Sequence, residues 1–524
     1  MPTPARARED FWVRILVLLL SAAALAPIWA APYPPLQDFP NHLLKTDLLR
    51  RWLAGESWDD SIYALQIKVL PNLTLYAALL FFSLVCSLIG SAKIFLSLAV
   101  VALPLSTYFF LRRVNPENTL FAPAAALLNF SLFLMMGSMN FCMALALFPL
   151  ALAFFMAEPR PGVRGWLPFA ALSTLLYLTH GFVFLALLGC VLCLLGLHGG
   201  AGRLPRALGL LPGVACFALN LTESFKRTAP PSGSVHPFFA TPGWHTVTTG
   251  LAWILAPHGW GPDTPFALAW LLVLGACAAL LVVQALRAWR AGERWDQIFR
   301  RHGWLVIAGL LLLAFFFAPV QVGEWSHARP RFVPVAVLTL LGGLQLRGRL
   351  VRLLALAIFV LAALAGDVRN TREFMRGSER VSEYLEGLSS VEEGAAILPV
   401  EAPHKGARYS PTLHAWGYYA LAKKAWSPYM HGEVTHNPVI YKVSPWGPGE
   451  ETGLRKPDLL PRIAACYDYL LQWNALEGDA ALLRPYFSIV KATAHLKVWR
   501  NRAGVRHSIP ATNPACASPA PPPS

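Results

Sequence analysis

Between residues 11 and 365 long apolar runs alternate with short polar breaks, and no other feature limits the fold as strongly. A run of about 20 apolar residues is what a helix needs to cross the hydrocarbon of a bilayer. Composition agrees: 55% of the 524 residues are hydrophobic and 14% are charged, against about 25% charged in a soluble domain. From residue 367 onward the composition is mixed, as in a soluble domain. The fold class expected is an α-helical polytopic membrane protein with a small C-terminal α/β domain.

Spans are expected near 15–31, 71–90, 94–111, 119–136, 141–157, 166–197, 207–221, 265–286, 304–320, 332–346 and 353–364. The stretch 166–197 is too long for one simple helix. Its polar Thr179, His180 and Gly181 imply two shorter segments or one long tilted helix. The run 15–31 ends like a signal peptide, but its length and the spans after it favour a retained helix.

Net charge is +15; residues from 368 onward carry 18 Lys+Arg against 14 Asp+Glu, which leaves +11 on the membrane part. Much of that excess sits in short loops, such as 287–301 and 347–352, where the positive-inside rule places cytoplasmic arginines. Membrane orientation therefore explains the basic balance, and no nucleic-acid partner is expected. Arg6, Arg8 and Arg14 keep the N-terminus inside, and the last span then exports the C-terminal domain. These two placements require an odd number of crossings, about 11–13 transmembrane helices. The pair Arg112–Arg113 conflicts with one such count.

The expected division is a membrane domain at 1–366 with an outer loop at 32–70, an extracytoplasmic α/β domain at 367–509, and a disordered Pro/Ala-rich tail at 510–524. Within the α/β domain, 395–400 and 467–472 read as strands, 412–423 as a helix opened by Pro411, and 487–492 with 495–499 as a closing hairpin. In the outer loop, Leu44, Leu48 and Trp52 follow Pro40 at helical spacing, with Lys45 and Arg51 off that line. This predicts an amphipathic helix lying in the interface. Six cysteines lie in or beside apolar runs as small fillers; Cys466 and Cys516 can pair if their domain is extracytoplasmic.

Candidate chemistry lies in the outer loops. Asp38, just past the first span, can accept a proton from a hydroxyl, with His42 four residues on facing the same pocket; alternatively Asp38 caps the helix begun at Pro40. A short outer loop holds Glu324, His327, Arg329 and Arg331. Arginine forks suit phosphate oxygens; the alternative is anchoring at lipid headgroups or pairing with Glu324. His180, at a break between apolar runs, either packs between helices or faces a cavity. Walker, GxGxxG, GxSxG and HExxH patterns are missing, and the spans carry no mid-bilayer acidic relay of the kind that marks ion-driven transport.

The string Asp38-Phe-Pro-Asn-His-Leu43, with 129–144, 177–184, 329–334 and 411–414, resembles a group of bacterial membrane proteins with a D-[YF]-P-N-H-L motif. The layout of first span, acidic outer loop, many spans and outer domain resembles the GT-C glycosyltransferases. That resemblance implies a multi-pass inner-membrane protein that transfers a sugar from a polyprenyl-phosphate donor to a glycan, lipid or protein acceptor of the cell envelope, on the outer face. It implies Asp38 as the acid of the first loop, His42 as its assistant, and Arg329 and Arg331 as donor-phosphate ligands, with His180, Glu324 and His327 as pocket residues. A second Asp-x-Asp or Glu-x-Asp motif is missing from the later outer loops between the spans, which argues against a divalent metal; no cofactor is expected. The rival readings are a lipid or polysaccharide flippase and a non-catalytic envelope scaffold.

Overall fold

Apolar helices run back and forth between two chemically distinct ends. The computed structural model describes residues 4–56, 62–66, 68–157, 163–198, 203–227, 253, 257–258, 268, 275, 279, 282–318, 328–344, 346, 348–402, 409–430, 437–442, 446–447, 457–505 and 516. The helices that matter for the site are α1 (Pro4–Ala23), α2 (Phe39–Leu53), α3 (Leu73–Phe82), α4 (Leu88–Val114), α5 (Met139–Phe155), α6 (Val163–Thr179), α7 (Gly181–His198), α8 (Leu211–Arg227), α9 (Gly303–Phe317), α10 (Phe332–Gly343), α11 (Arg349–Leu385) and α12 (Trp416–Lys423). Among the described residues, five helical stretches are long and apolar enough to cross a bilayer: Arg8–Ala30, Leu88–Val114, Pro116–Met135, Leu204–Thr222 and Arg349–Ser390. Shorter apolar helices, including α5, α7 and α9, accompany them. The 166–197 stretch is two helices, α6 and α7, parted at His180.

One end of the bundle is rich in arginine. There Arg14 bonds Asp10 at 2.5 Å and donates to the Tyr108 hydroxyl at 2.6 Å, and Arg112 lies 4.0 Å from the same Asp10. The Asn118 amide donates to the carbonyls of Leu341 at 3.0 Å and Leu344 at 2.8 Å, while Arg352 reaches Glu117 at 4.0 Å. The start of α1, the ends of α4 and α10 and the start of α11 therefore share this end. Arg112–Arg113 close α4 at this end, beside the N-terminal leader. Between α4 and α5 the chain returns as a 3-10 helix, Pro116–Leu128, rather than the α-helix expected from residue 119. At about 2.0 Å per residue its 13 residues cover roughly 26 Å, and its alanines bury fully against neighbouring helices.

The C-terminal sheet has the order β2 (Ile397–Glu401), β4 (Tyr469–Trp473), β6 (Leu496–Asn501), β5 (Phe487–Ala492), with β2 and β4 parallel and the other pairs antiparallel. β4 is buried along its whole length, which is why it reads as a continuous apolar run instead of an alternating one. A second, two-stranded sheet joins β1 (Tyr63–Leu65) of the first loop to β3 (Val439–Tyr441) of the C-terminal region. α11 is a single helix of 37 residues, about 55 Å at 1.5 Å per residue. It passes residue 366 without a break, so the two parts are joined by a rod and not by a linker.

Two expectations are corrected. α2 does form from Pro40 onward, but it does not lie bare in the interface: α3 and α12 pack on it, and Lys45, expected off its apolar line, is buried with Asn41, Thr46 and Asp47. The tail is fixed at one point, because Cys516 is buried and disulfide-bonded to Cys466; residues 506–515 and 517–524 lie outside the described residues. The bond closes a loop spanning 50 positions, so replacing both cysteines by serine is expected to lower stability by up to about 4 kcal/mol on the chain-entropy account. Thermal unfolding of the double variant in detergent, with and without reductant, measures it.

Candidate functional site

The site forms where the first loop meets the turn before α5. Asp38 is the N-cap residue of α2, with Pro40 in the first turn, where a missing N–H costs nothing. Its side chain makes no capping bond. The backbone N–H groups of Gln37 and Asp38 instead donate to the carbonyls of Met135 at 2.9 Å and Met136 at 3.1 Å. The next residue, Gly137, has φ +89, and a Cβ there would lie 2.7 Å from the Asp38 nitrogen. Both the left-handed backbone and the close approach demand glycine.

The Asp38 carboxylate is held from the opposite side. His414, in the turn before α12, places Nδ1 2.9 Å from Asp38 Oδ1. The imidazole side chain is 2% exposed and the carboxylate side chain 32%, so Asp38 is the member of the pair that opens outward. Around it α2 and α3 supply His42, whose Nδ1 lies 3.2 Å from the Tyr76 hydroxyl, and Lys45, within electrostatic reach of Asp38. Burial, then the Lys45 charge, pulls His42 down to about 4, so its ring is neutral at physiological pH. Burial draws the Lys45 amine down to about 8, against the pull of Asp38.

Of the two arginines, Arg331 packs on residues either side of the same turn. Arg331 stacks its guanidinium over Phe133 at 5.9 Å and Phe141 at 5.6 Å. These residues bracket the Met135–Gly137 segment that carries Asp38. Arg331 Nε has no hydrogen-bond partner and Arg331 has no carboxylate partner among the described residues, and burial pulls the group down to about 10, which leaves it cationic at neutral pH. Arg329 is buried and donates through Nε to the Ala318 carbonyl. His180 meets the Phe141 ring edge-on at 5.3 Å, which connects it to the Arg331 wall. Asp38, His42, Arg331 and His180 are thus gathered around one short segment. Glu324 and His327 lie outside the described residues.

Buried polar atoms of Asn41, Ser131 and Asn140 make no hydrogen bond among the described residues; buried polar groups otherwise find partners. No group of three His, Cys, Asp or Glu side chains forms a metal-binding cluster among the described residues. His414 and Lys45 escaped the sequence reading. His414 belongs to no ligand-spaced pattern, its only signal being the string 411–414, and Lys45 was placed on the polar side of a helix that is in fact covered.

By sequence, no family model and no curated protein matches the chain. By structure, it superposes on ArnT from Cupriavidus metallidurans in the apo state, at 12% identity and TM-score 0.53, over 95% of this chain and 99% of that one. ArnT bound to undecaprenyl phosphate gives 12% identity and TM-score 0.50, over 94% and 98%. The arabinofuranosyltransferase AftD from Mycobacteria gives 13% identity and TM-score 0.51, over 95% of this chain and 40% of that one. The chain has the GT-C fold.

With this fold the chain is a multi-pass membrane protein with a small C-terminal sheet domain. In it, Gly137 is the residue on which the position of Asp38 turns. Gly137→Ala is expected to cost about 1–3 kcal/mol through backbone strain and to displace Asp38, seen as a lowered melting temperature of the detergent-solubilised protein.

Proposed function

We propose that this protein transfers a sugar from a polyprenyl-phosphate donor to a cell-envelope acceptor, at a site on the outer side of a bacterial inner membrane. The observation that carries the reading is the placement of an outward-opening carboxylate, Asp38, and an aromatic-walled cation, Arg331, on two flanks of the segment from Phe133 to Phe141. The shared fold with ArnT, which binds undecaprenyl phosphate, supports the donor class.

The roles follow from the chemistry. Asp38 takes the proton of the acceptor hydroxyl as that oxygen attacks the anomeric carbon, and the carrier phosphate leaves with the bonding electrons. Arg331 and the Lys45 ammonium stabilise the negative charge that gathers on the leaving phosphate. Arg329, tied to Ala318, braces the turn that presents Arg331. His42, neutral and bonded to Tyr76, orients the acceptor beside Asp38, and the free polar atoms of Asn41 and Asn140 match a hydroxyl-rich ligand. Two features support the orientation. Arginines concentrate at the end remote from Asp38, as cytoplasmic ends do, and the Cys466–Cys516 bond suits an oxidising compartment.

Purified protein incubated with a panel of polyprenyl-phosphate sugars and envelope acceptors, read by mass spectrometry, tests the reading. Asp38→Asn is expected to lower transfer by about 10²–10⁴-fold while the protein stays folded; undiminished transfer removes Asp38 from the mechanism. Arg331→Ala is expected to weaken donor use by about 1.5–3 kcal/mol, the worth of a charged hydrogen bond, seen in kcat/KM for the donor. Transport of the lipid across vesicles with no new glycosidic bond supports a flippase instead.

A pH dependence also follows. The Lys45 amine is charged below its value of about 8 and neutral above it, so transfer is expected to fall as pH rises through that value. Lys45→Arg, charged throughout, is expected to move the alkaline limb upward.

A further inference from the structure

The C-terminal domain does more than cover α2. Three contacts run in step between the start of α2 and the start of α12. The Ser410 N–H donates to Gln37 Oε1 at 3.2 Å, His414 meets Asp38 at 2.9 Å, and Gly417 sits where a Cβ would come within 2.9 Å of the Pro40 side chain. Only glycine lets α12 approach that closely, and the approach sets the depth at which His414 enters. A second tie secures the same docking: β1 pairs with β3, the Gln66 amide donates to the Asn437 carbonyl at 3.1 Å, and the Tyr76 hydroxyl stands 3.5 Å from Asn437 Oδ1.

We propose that His414 is a positioning residue for Asp38, so that the reacting carboxylate is assembled only when the C-terminal domain is docked on the first loop. This rests on the glycosyl-transfer reading and deepens it. In the Nδ1–H tautomer the imidazole donates to Oδ1, which fixes the carboxylate rotamer. A carboxylate rotating freely about its side-chain torsions has its second oxygen misplaced much of the time, and misplacement of about 1 Å costs up to roughly 10²-fold in rate. The bond also favours the ionised form of Asp38. Among the described residues, His42 and Lys45 from α2 and Tyr76 from α3 also face this pair, and all three feel the Asp38 charge.

The test uses the full-length chain in detergent or nanodiscs with three variants. His414→Ala is expected to lower kcat about 10–100-fold with the donor KM unchanged, and to move the acid limb of the pH–rate profile upward, since Asp38 loses the donor that favours its charge. In His414→Asn the amide Nδ2 stands near the position of Nδ1, so most of the rate and the original acid limb are expected to return. Melting temperatures of His414→Ala, Asp38→Asn and the double variant are expected to be non-additive, a readout that needs no activity.

Wild-type rate and pH profile in His414→Ala, with transfer still abolished by Asp38→Asn, overturn the inference and leave the transferase reading standing. An Asn variant as impaired as the Ala variant, both with lowered melting temperature and additive shifts, shows a merely structural histidine and also overturns it. Unchanged transfer in Asp38→Asn overturns the reading on which both rest.

Discussion

Two backbone hydrogen bonds, from Gln37 and Asp38 to Met135 and Met136, hold the arrangement together. They attach the first loop to the turn between the Pro116–Met135 crossing and α5, and the glycine that follows allows main chain to rest directly on main chain. With that junction in place, α2 has a fixed starting point, α12 has a surface on which to dock, and Phe133 and Phe141 stand where Arg331 can stack on them. The His42 side chain adds a further bond from the first loop to the Gly137 backbone of that turn.

The two ends of the bundle differ for an electrostatic reason. Arginine neighbours arginine at the end containing Asp10, where carboxylates are few and headgroups and water can solvate the excess. At the other end charges meet particular neighbours, as Asp38 does His414 and Asp47 does Arg50 and Arg51. A diffuse positive surface orients a membrane protein. Isolated charges kept in low-dielectric surroundings are what chemistry requires.

Apolar run length made the class of fold legible, and strand and helix positions in the C-terminal region were readable from the same periodicities. Asp38 and His42 were legible because they sit together in one short string after the first span. His414 was not, since its partner lies 376 positions away and nothing in local spacing reveals a contact made by domain docking. Lys45 misled for a related reason. Amphipathic patterning shows which side of a helix is polar, but not whether another domain will roof that side. The 3-10 return at Pro116 escaped because hydropathy measures apolarity and is blind to the pitch of the helix that carries it.

The length of α11 has a mechanical consequence. Its C-terminal half touches the first loop where Gly377 meets Pro35 and where Ser378 accepts from the Tyr33 N–H at 3.0 Å. A stiff shaft with no joint at the bilayer surface transmits any tilt of its lipid-embedded half straight to that point, three residues before Asp38. The helix is thus a lever that couples the membrane bundle to the segment carrying Asp38, without any ligand between them.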